Sequence, residues 1–329
     1  MSMRRRDFLH HTTTASLILA APAVLRAGSQ RLERLVLQGP PSGPSLTLAH
    51  AVGLGLFDDI AREVVFTCWS TPDELRANLT SGRVPVVAMA AQGAASMYNR
   101  GFGVHLVTVM TDGHCGMVSR HAPIEHITQL RGQRIGQPFI NDMTGHVMRR
   151  ALAHHGMTVA DVHLVSAATH IEGAQLLLAE RVDSALLAEP AATAALLRAQ
   201  ATDTVLHRGL QMRDEWGRIT GLRPSLPQAG LVVTQAFAEA HPQHIEALHR
   251  AVEFAAAAAN ANPEQAAEHA AEPMDRPATV LSAALPFCHL TARRASQARP
   301  ELEAMYSALA EADPGIIGGR LPDAGFYLI

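Results

Sequence analysis

The 329-residue chain predicts an α/β protein of two lobes, each built on its own mainly parallel sheet flanked by helices. Three observations carry that expectation. Short apolar β-type runs alternate with longer helical ones along most of the sequence. A strand–helix–strand unit occurs twice, once in each half. Hydrophobic residues make up 48% of the chain against 17% charged, enough for the cores of two domains of ordinary size.

The elements follow in order. Residues 35–37 read as a first strand, and the Pro- and Gly-rich residues 38–45 as a loop. A helix from Leu46 to about Leu54 closes at Gly55, and residues 63–69 form a second strand. Ser70 and Thr71 offer a hydroxyl cap to the next helix, with Pro72 in its first turn and Asp73 and Glu74 near the positive end of its dipole. That helix stops at Gly82. Residues 84–89 make a third strand, Ala91, Gln92 and Gly93 lead into another helix, and residues 106–110 make a fourth strand. The second copy of the unit opens at Ala168, Thr169 and His170 and ends in a strand from Ser184 to Ala188. Two related lobes explain the duplication better than one continuous sheet, and the copies are too degenerate and too far apart for a solenoid. From His241 to about Glu272 the chain is alanine-rich and helical, broken at Asn262 and Pro263. Residues 286–290 and 292–309 read as further helix, and residues 318–323 as an ordered loop.

The first residues carry a different message. Arg4, Arg5 and Arg6 precede a mostly uncharged stretch to Leu25, with small residues around Ala23 and Ala27. This is the pattern of a twin-arginine export signal over residues 1–29, and a run this short, containing Pro22, does not span a bilayer. The expectation is a soluble mature protein in the periplasm. Cleavage after Ala27 would take the net charge from -3 to -6, because four arginines and one aspartate leave. Such a protein is no candidate for nucleic acid. All 27 basic residues are arginine, which excludes a lysine-linked cofactor. Cys68, Cys115 and Cys288 have no metal or redox spacing and read as small buried side chains, although an oxidising compartment would permit one disulfide.

In open parallel sheets, ligands sit beyond the carboxyl ends of the strands, where loops meet the free N–H groups of helix N-termini. Three such places can be read. The loop 38–45 offers the hydroxyls of Ser42 and Ser45. Gln92 can donate and accept, and Gly93 allows close approach of the backbone. In the third, Asn141 precedes Thr144, whose hydroxyl lies among backbone donors, Gly145 lets the chain pack closely, and His146 sits just inside the helix. Trp69 follows the second strand and could stack on a ligand. Glu189 ends a strand ahead of Pro190, where it could accept a ligand donor or brace the segments between lobes. No arginine falls in these loops, so no bidentate anion clamp is legible, though Arg223 could enter from the second half.

The central stretch Leu130-Arg131-Gly132-Gln133-Arg134-Ile135-Gly136-Gln137-Pro138, the turn Asn141 to His146, the run Met157 to Val165, and Glu189-Pro190 followed by Thr193 resemble, in order and spacing, the nitrate/sulfonate/taurine substrate-binding proteins. That family includes bacterial relatives of thiamine-pyrimidine synthesis proteins. Asn262-Pro263 and the closing Leu321-Pro322-Asp323 also resemble it. The resemblance implies a type II periplasmic-binding-protein fold: two lobes joined by two crossing segments, a ligand cleft between them, and delivery to an inner-membrane ABC permease. On this chain the lobes would be 30–114 with 227–329, and 115–226. The implied function is capture of a small polar or anionic organic solute (sulfonate, nitrate, carboxylate or pyrimidine-like) by hinge closure, with no catalytic residue, cofactor or metal. An exported enzyme is the alternative from another class, but GxSxG, HExxH, a Walker loop and a GxGxxG after a strand are all missing. A metal-binding protein is the third reading, prompted by 18 histidines; yet His154 and His155, adjacent on a helix, are expected to point to different sides.

Overall fold

The computed structural model describes residues 31–202 and 204–329, so the export signal expected at residues 1–29 lies outside the described residues. The first lobe begins with β1 Leu32–Gly39, α1 Gly43–Gly53, β2 Ala61–Cys68, α2 Pro72–Thr80, β3 Val86–Ala90, α3 Ala91–Asn99 and β4 Val104–Thr111. The second holds β5 Cys115–Ser119, β6 Arg134–Pro138, α4 Met143–His154, β7 His163–Ala167, α5 His170–Leu178, β8 Ser184–Ala188, α6 Ala191–Gln200, β9 His207–Gln211 and α7 Met212–Thr220. The chain then returns to the first lobe as β10 Ala229–Thr234, α8 Gln235–Ala240, α9 Pro242–Ala261, α10 Pro263–Ala271, α11 Ala278–Cys288, β11 Leu290–Arg294 and α12 Ala295–Ala310. No helix among the described residues is long and apolar enough to cross a membrane.

Two separate sheets result, one in the order β11-β4-β10-β3-β1-β2 and one in the order β7-β6-β8-β5-β9. Strands β1 to β4 point one way, with β10 and β11 opposed to them. In the other sheet β6 to β9 point one way and β5 opposes them. The reversals at β5 and β10 have a topological cause. β4 leaves its sheet at the same end as β1 to β3, so β5 enters the second sheet from the gap and runs away from it. β10 does the same on the return. Most strands of each sheet therefore share one direction, with a reversed strand wherever the chain crosses and at the edge strand β11.

The duplicated unit is the same device twice. Thr71 caps α2 by accepting the Glu74 amide, while Glu74 reaches back to the Ser70 N–H at 2.8 Å. Thr169 caps α5 through the Glu172 amide, and Glu172 takes the Ala168 N–H at 2.6 Å. Two local expectations need correction. The loop after β1 is shorter than residues 38–45, because α1 starts at Gly43 with Pro44 in its first turn, where a missing N–H is harmless. Residues 286–290 are not one helix: α11 ends at Cys288, His289 turns at φ 46°, and Leu290 opens β11, which pairs with the edge of β4. Pairing with an open strand edge outweighs the weak helix propensity of that run.

The core divides by face. Helices α1, α9, α10 and α11 cover one face of the first sheet through residues such as Leu46, Leu248, Val252 and Leu281. On the other face, Leu302, Met305, Tyr306 and Leu309 of α12 join an apolar cluster that continues into Met148 and Leu152 of α4 and Met212 and Trp216 of α7. Each such fully buried side chain contributes about 1.5–3 kcal/mol. The last long helix thus ties the first lobe to the second. All three cysteines carry free thiols; Cys115 and Cys288 are buried and Cys68 partly so.

Candidate functional site

Between the sheets lies a cavity of about 970 Å³, its open mouth included. Its walls are the carboxyl ends of strands from both lobes. From the first come Pro40, Pro41 and Ser42 after β1, Trp69 and Ser70 after β2, and Met89 and Ala90 at the end of β3. From the second come Phe139 and Asp142 to Thr144 after β6, Thr169 to Ile171 after β7, and Ala188, Glu189 and Ala191 around the end of β8. His114 in one crossing segment and Gln228 in the other close the back. Phe139 is held at φ 50°, unusual for a residue with a side chain, while its N–H donates to Ala167 and its carbonyl accepts from Asp142.

The charge of this cavity is distinctive: among the described residues, no arginine lines it. Burial above all, with the neighbouring His170 and His289 adding to it, pulls the His114 imidazole down to about 3. Burial also pulls His170 down to about 4. Both rings are neutral at pH 7. The Asp142 carboxylate accepts the Met143 N–H and the Gln92 Nε2 group, each at 2.7 Å. Gln228 donates to the Cys115 Sγ at 3.3 Å, and its buried Oε1 takes no hydrogen bond from the protein. A partly aromatic chamber with neutral imidazoles and carboxylate and amide acceptors in its wall suits a flat solute carrying N–H or O–H donors.

The residues singled out in the sequence fall into two adjoining groups. Ser42, Trp69, Thr144 and Glu189 line the chamber. Gln92, Gly93, Asn141 and His146 line a second cavity of about 1290 Å³ beside it, flanked by Arg76 and Arg100, and Trp69 and Asp142 border both. Gly145 borders neither; it lies under the Ile140 carbonyl, where an added Cβ would come within 2.0 Å of that oxygen. Thr144 donates its hydroxyl to the Pro138 carbonyl at 2.5 Å and so pins the loop that carries it. Glu189 is 2% exposed; its carboxylate is paired with Arg208 and accepts the Thr193 amide, while its carbonyl takes the Gly43 N–H from the other lobe at 3.1 Å. Arg208 also lies 3.7 Å over the Phe287 ring of the first lobe. His114, Phe139, Asp142, His170 and Gln228 were not among the sequence candidates. Asp142 and His170 sit at helix starts of the kind the strand-end rule selects and could have been found; His114 and Gln228 lie in crossing segments, which that rule does not reach.

Arg223 has a different place from a ligand clamp. It pairs with Asp112 of the first crossing segment and Glu301 of α12, and Arg293 of β11 binds the same two carboxylates. Ser225 donates to Asp112 at 3.0 Å. Burial would raise the Asp112 carboxyl, but the Arg223 hydrogen bond and the charges of Arg293 and Arg223 outweigh it and hold the group below its ordinary range. This network joins the two crossing segments, 112–114 and 221–228, to the C-terminal helix.

A comparison with curated protein sequences finds no significant match. Solved structures with the same architecture are numerous. An ABC transporter structure from Parabacteroides distasonis superposes with a TM-score of 0.74 at 21% identity, covering 89% of this chain and 98% of the other. The periplasmic aliphatic sulphonate binding protein of Escherichia coli gives 0.67 at 15% identity, covering 88% and 92%. The periplasmic nitrate-binding protein of Synechocystis gives 0.59 at 14% identity, covering 76% and 69%. Residues 70–266, which include both helix starts of the duplicated unit and most of the cavity wall, match the family model described as NMT1/THI5 like. With well over half of its length so matched, the chain belongs to the NMT1/THI5-like family.

Proposed function

We propose that this protein is the solute-binding component of an ABC importer, which captures a small molecule in the chamber between its lobes and passes it on without chemical change. One observation carries the reading: six parallel strands from two sheets end against a common cavity, walled by both lobes and backed by both crossing segments. The lobes, 30–114 with 227–329 and 115–226, close about segments 112–114 and 221–228, driven by contacts to solute made only when the gap is shut. The architecture shared with periplasmic binding proteins, with the export signal expected over residues 1–29, supports a periplasmic location and an inner-membrane permease as partner. Ser42, Trp69, Phe139, Thr144, His170 and Gln228 contact the solute. Since the chamber offers neutral imidazoles, an amide oxygen and the Asp142 carboxylate but no arginine, the favoured solute is an uncharged or cationic ring compound such as a pyrimidine, ahead of a sulfonate or nitrate. A thermal-unfolding screen of the mature protein tests this. Ring amines and pyrimidines are expected to raise the midpoint by several degrees, as binding to the folded state alone requires. Stabilisation by sulfonates or nitrate only would overturn the solute class, and turnover of any ligand would overturn the transport role.

A further inference from the structure

We propose that His154, His155 and Glu215 form a binding site for a divalent cation of the zinc class, far along α4 from the solute chamber. The usual objection to adjacent histidines fails here because α4 ends between them. His154 is its last residue, and His155 is a cap at φ -96° and ψ 18°, outside regular helical geometry. The two rings consequently sit 5.1 Å apart at 86° to one another instead of diverging. Glu215 arrives from α7, 1% exposed, with Oε1 2.6 Å from the His155 Nε2. Ligand atoms from all three residues lie within 4.8 Å of one another.

That spacing suits a tetrahedral ion. Zinc–ligand bonds of about 2.0–2.2 Å put neighbouring ligand atoms roughly 3.3 Å apart. The His155–Glu215 pair would open by less than about 1 Å, and the exposed His154 would swing inward by up to about 1.5 Å. Arg218 donates to the other Glu215 oxygen at 2.9 Å, fixing the carboxylate while Oε1 stays turned to His155. Two imidazoles and one carboxylate select a borderline-soft cation over magnesium or calcium, which require oxygen ligands. Water would take the fourth position on the His154 side, which faces solvent. The ion would staple the C-terminal end of α4 to α7. The first turn of α4 lines the solute chamber, and α7 leads into the crossing segment 221–228, so the staple would hold the second lobe as one body.

The test is calorimetric titration of Zn²⁺ into chelator-stripped full-length mature protein, with no solute present. One equivalent is expected to bind, and Co²⁺ in its place should give a tetrahedral visible band. His154→Ala, at an exposed position that leaves folding intact, should weaken binding at least about tenfold and abolish that band. Glu215→Gln, which keeps the side-chain shape, should weaken it similarly, whereas His121→Ala elsewhere on the surface should bind like the parent. No uptake by the parent, or equal affinity in His154→Ala and the parent, would overturn the site. Because the readout needs no solute, its failure leaves the transport proposal standing.

Discussion

His114 and His170 show how single residues acquire properties that their identity does not give. An ordinary imidazole titrates near 6.5. Both rings have lost water on the cleft wall and are shifted down to about 3 and about 4. A histidine whose folded value is depressed favours folding above the unfolded value and loses that contribution as pH falls toward the folded one. The stability of the whole chain should therefore drop between pH 6.5 and about 4, each ring contributing up to about 1.4 kcal/mol per pH unit. Denaturant unfolding across that range checks it, and a His114→Gln variant should flatten the slope; an unchanged slope would show that burial does not hold the ring neutral. Glu189 is the complementary case. From sequence, this strand-end carboxylate could take a ligand donor or brace the segments between lobes; Arg208 and the Thr193 amide hold its oxygens. Its partner is 19 residues away on another strand, and sequence spacing gives no sign of that pair.

At the scale of elements, the helix start at α4 repays the closest reading. Asp142 caps it, Thr144 pins its loop to the Pro138 carbonyl, and Gly145 lies against the Ile140 backbone. The strand-end rule picked this turn from sequence, and the chain that Gly145 packs against is the Ile140 backbone. Gly145→Ala should displace the turn, since the added carbon meets backbone and not a flexible side chain. We expect a loss of about 1–3 kcal/mol, typical of overpacking, together with weaker solute binding. Gly82→Ala, which would meet nothing within 4 Å but sits at φ 70°, separates strain from crowding: it should cost about 1 kcal/mol and spare the binding. Matching losses of affinity in the two variants would show that the α4 turn has no special part in the site. The antiparallel β11 was not legible, because all its residues but Thr291 read as helix until the free edge of β4 is known to lie beside them.

For the whole molecule, the decisive feature is the pair of crossing segments and the ionic network that ties them to α12. The Asp112 carboxyl is depressed, so its contribution to stability is complete above its unfolded value near 4 and is lost as pH falls below that. Asp112→Asn should thus lower stability at pH 7 by about 2 kcal/mol, since it leaves Arg223 and Arg293 with fewer partners. That difference should shrink at pH 3, below the unfolded value, where the unfolded chain takes up a proton that the folded carboxylate resists. Chemical denaturation at both pH values measures it, and a difference that does not change with pH would show that the network's charge is not what matters. A second contact across the gap, Gln92 to Asp142, lies between the two cavities, so the lobes touch on both sides of the chamber.

The sequence by itself determined the two-sheet α/β plan, the duplicated helix starts and the strand-end turns, because these depend on local periodicity and capping, which a few neighbouring residues specify. Only the tertiary structure decided what faces what. The arginine-poor chamber, the Glu189–Arg208 pair, the recruitment of Arg223 to the crossing segments and the meeting of His154 and His155 with Glu215 each require residues from elements distant in the chain. Their juxtaposition is set by how two lobes dock, and docking leaves no spacing for the linear sequence to display.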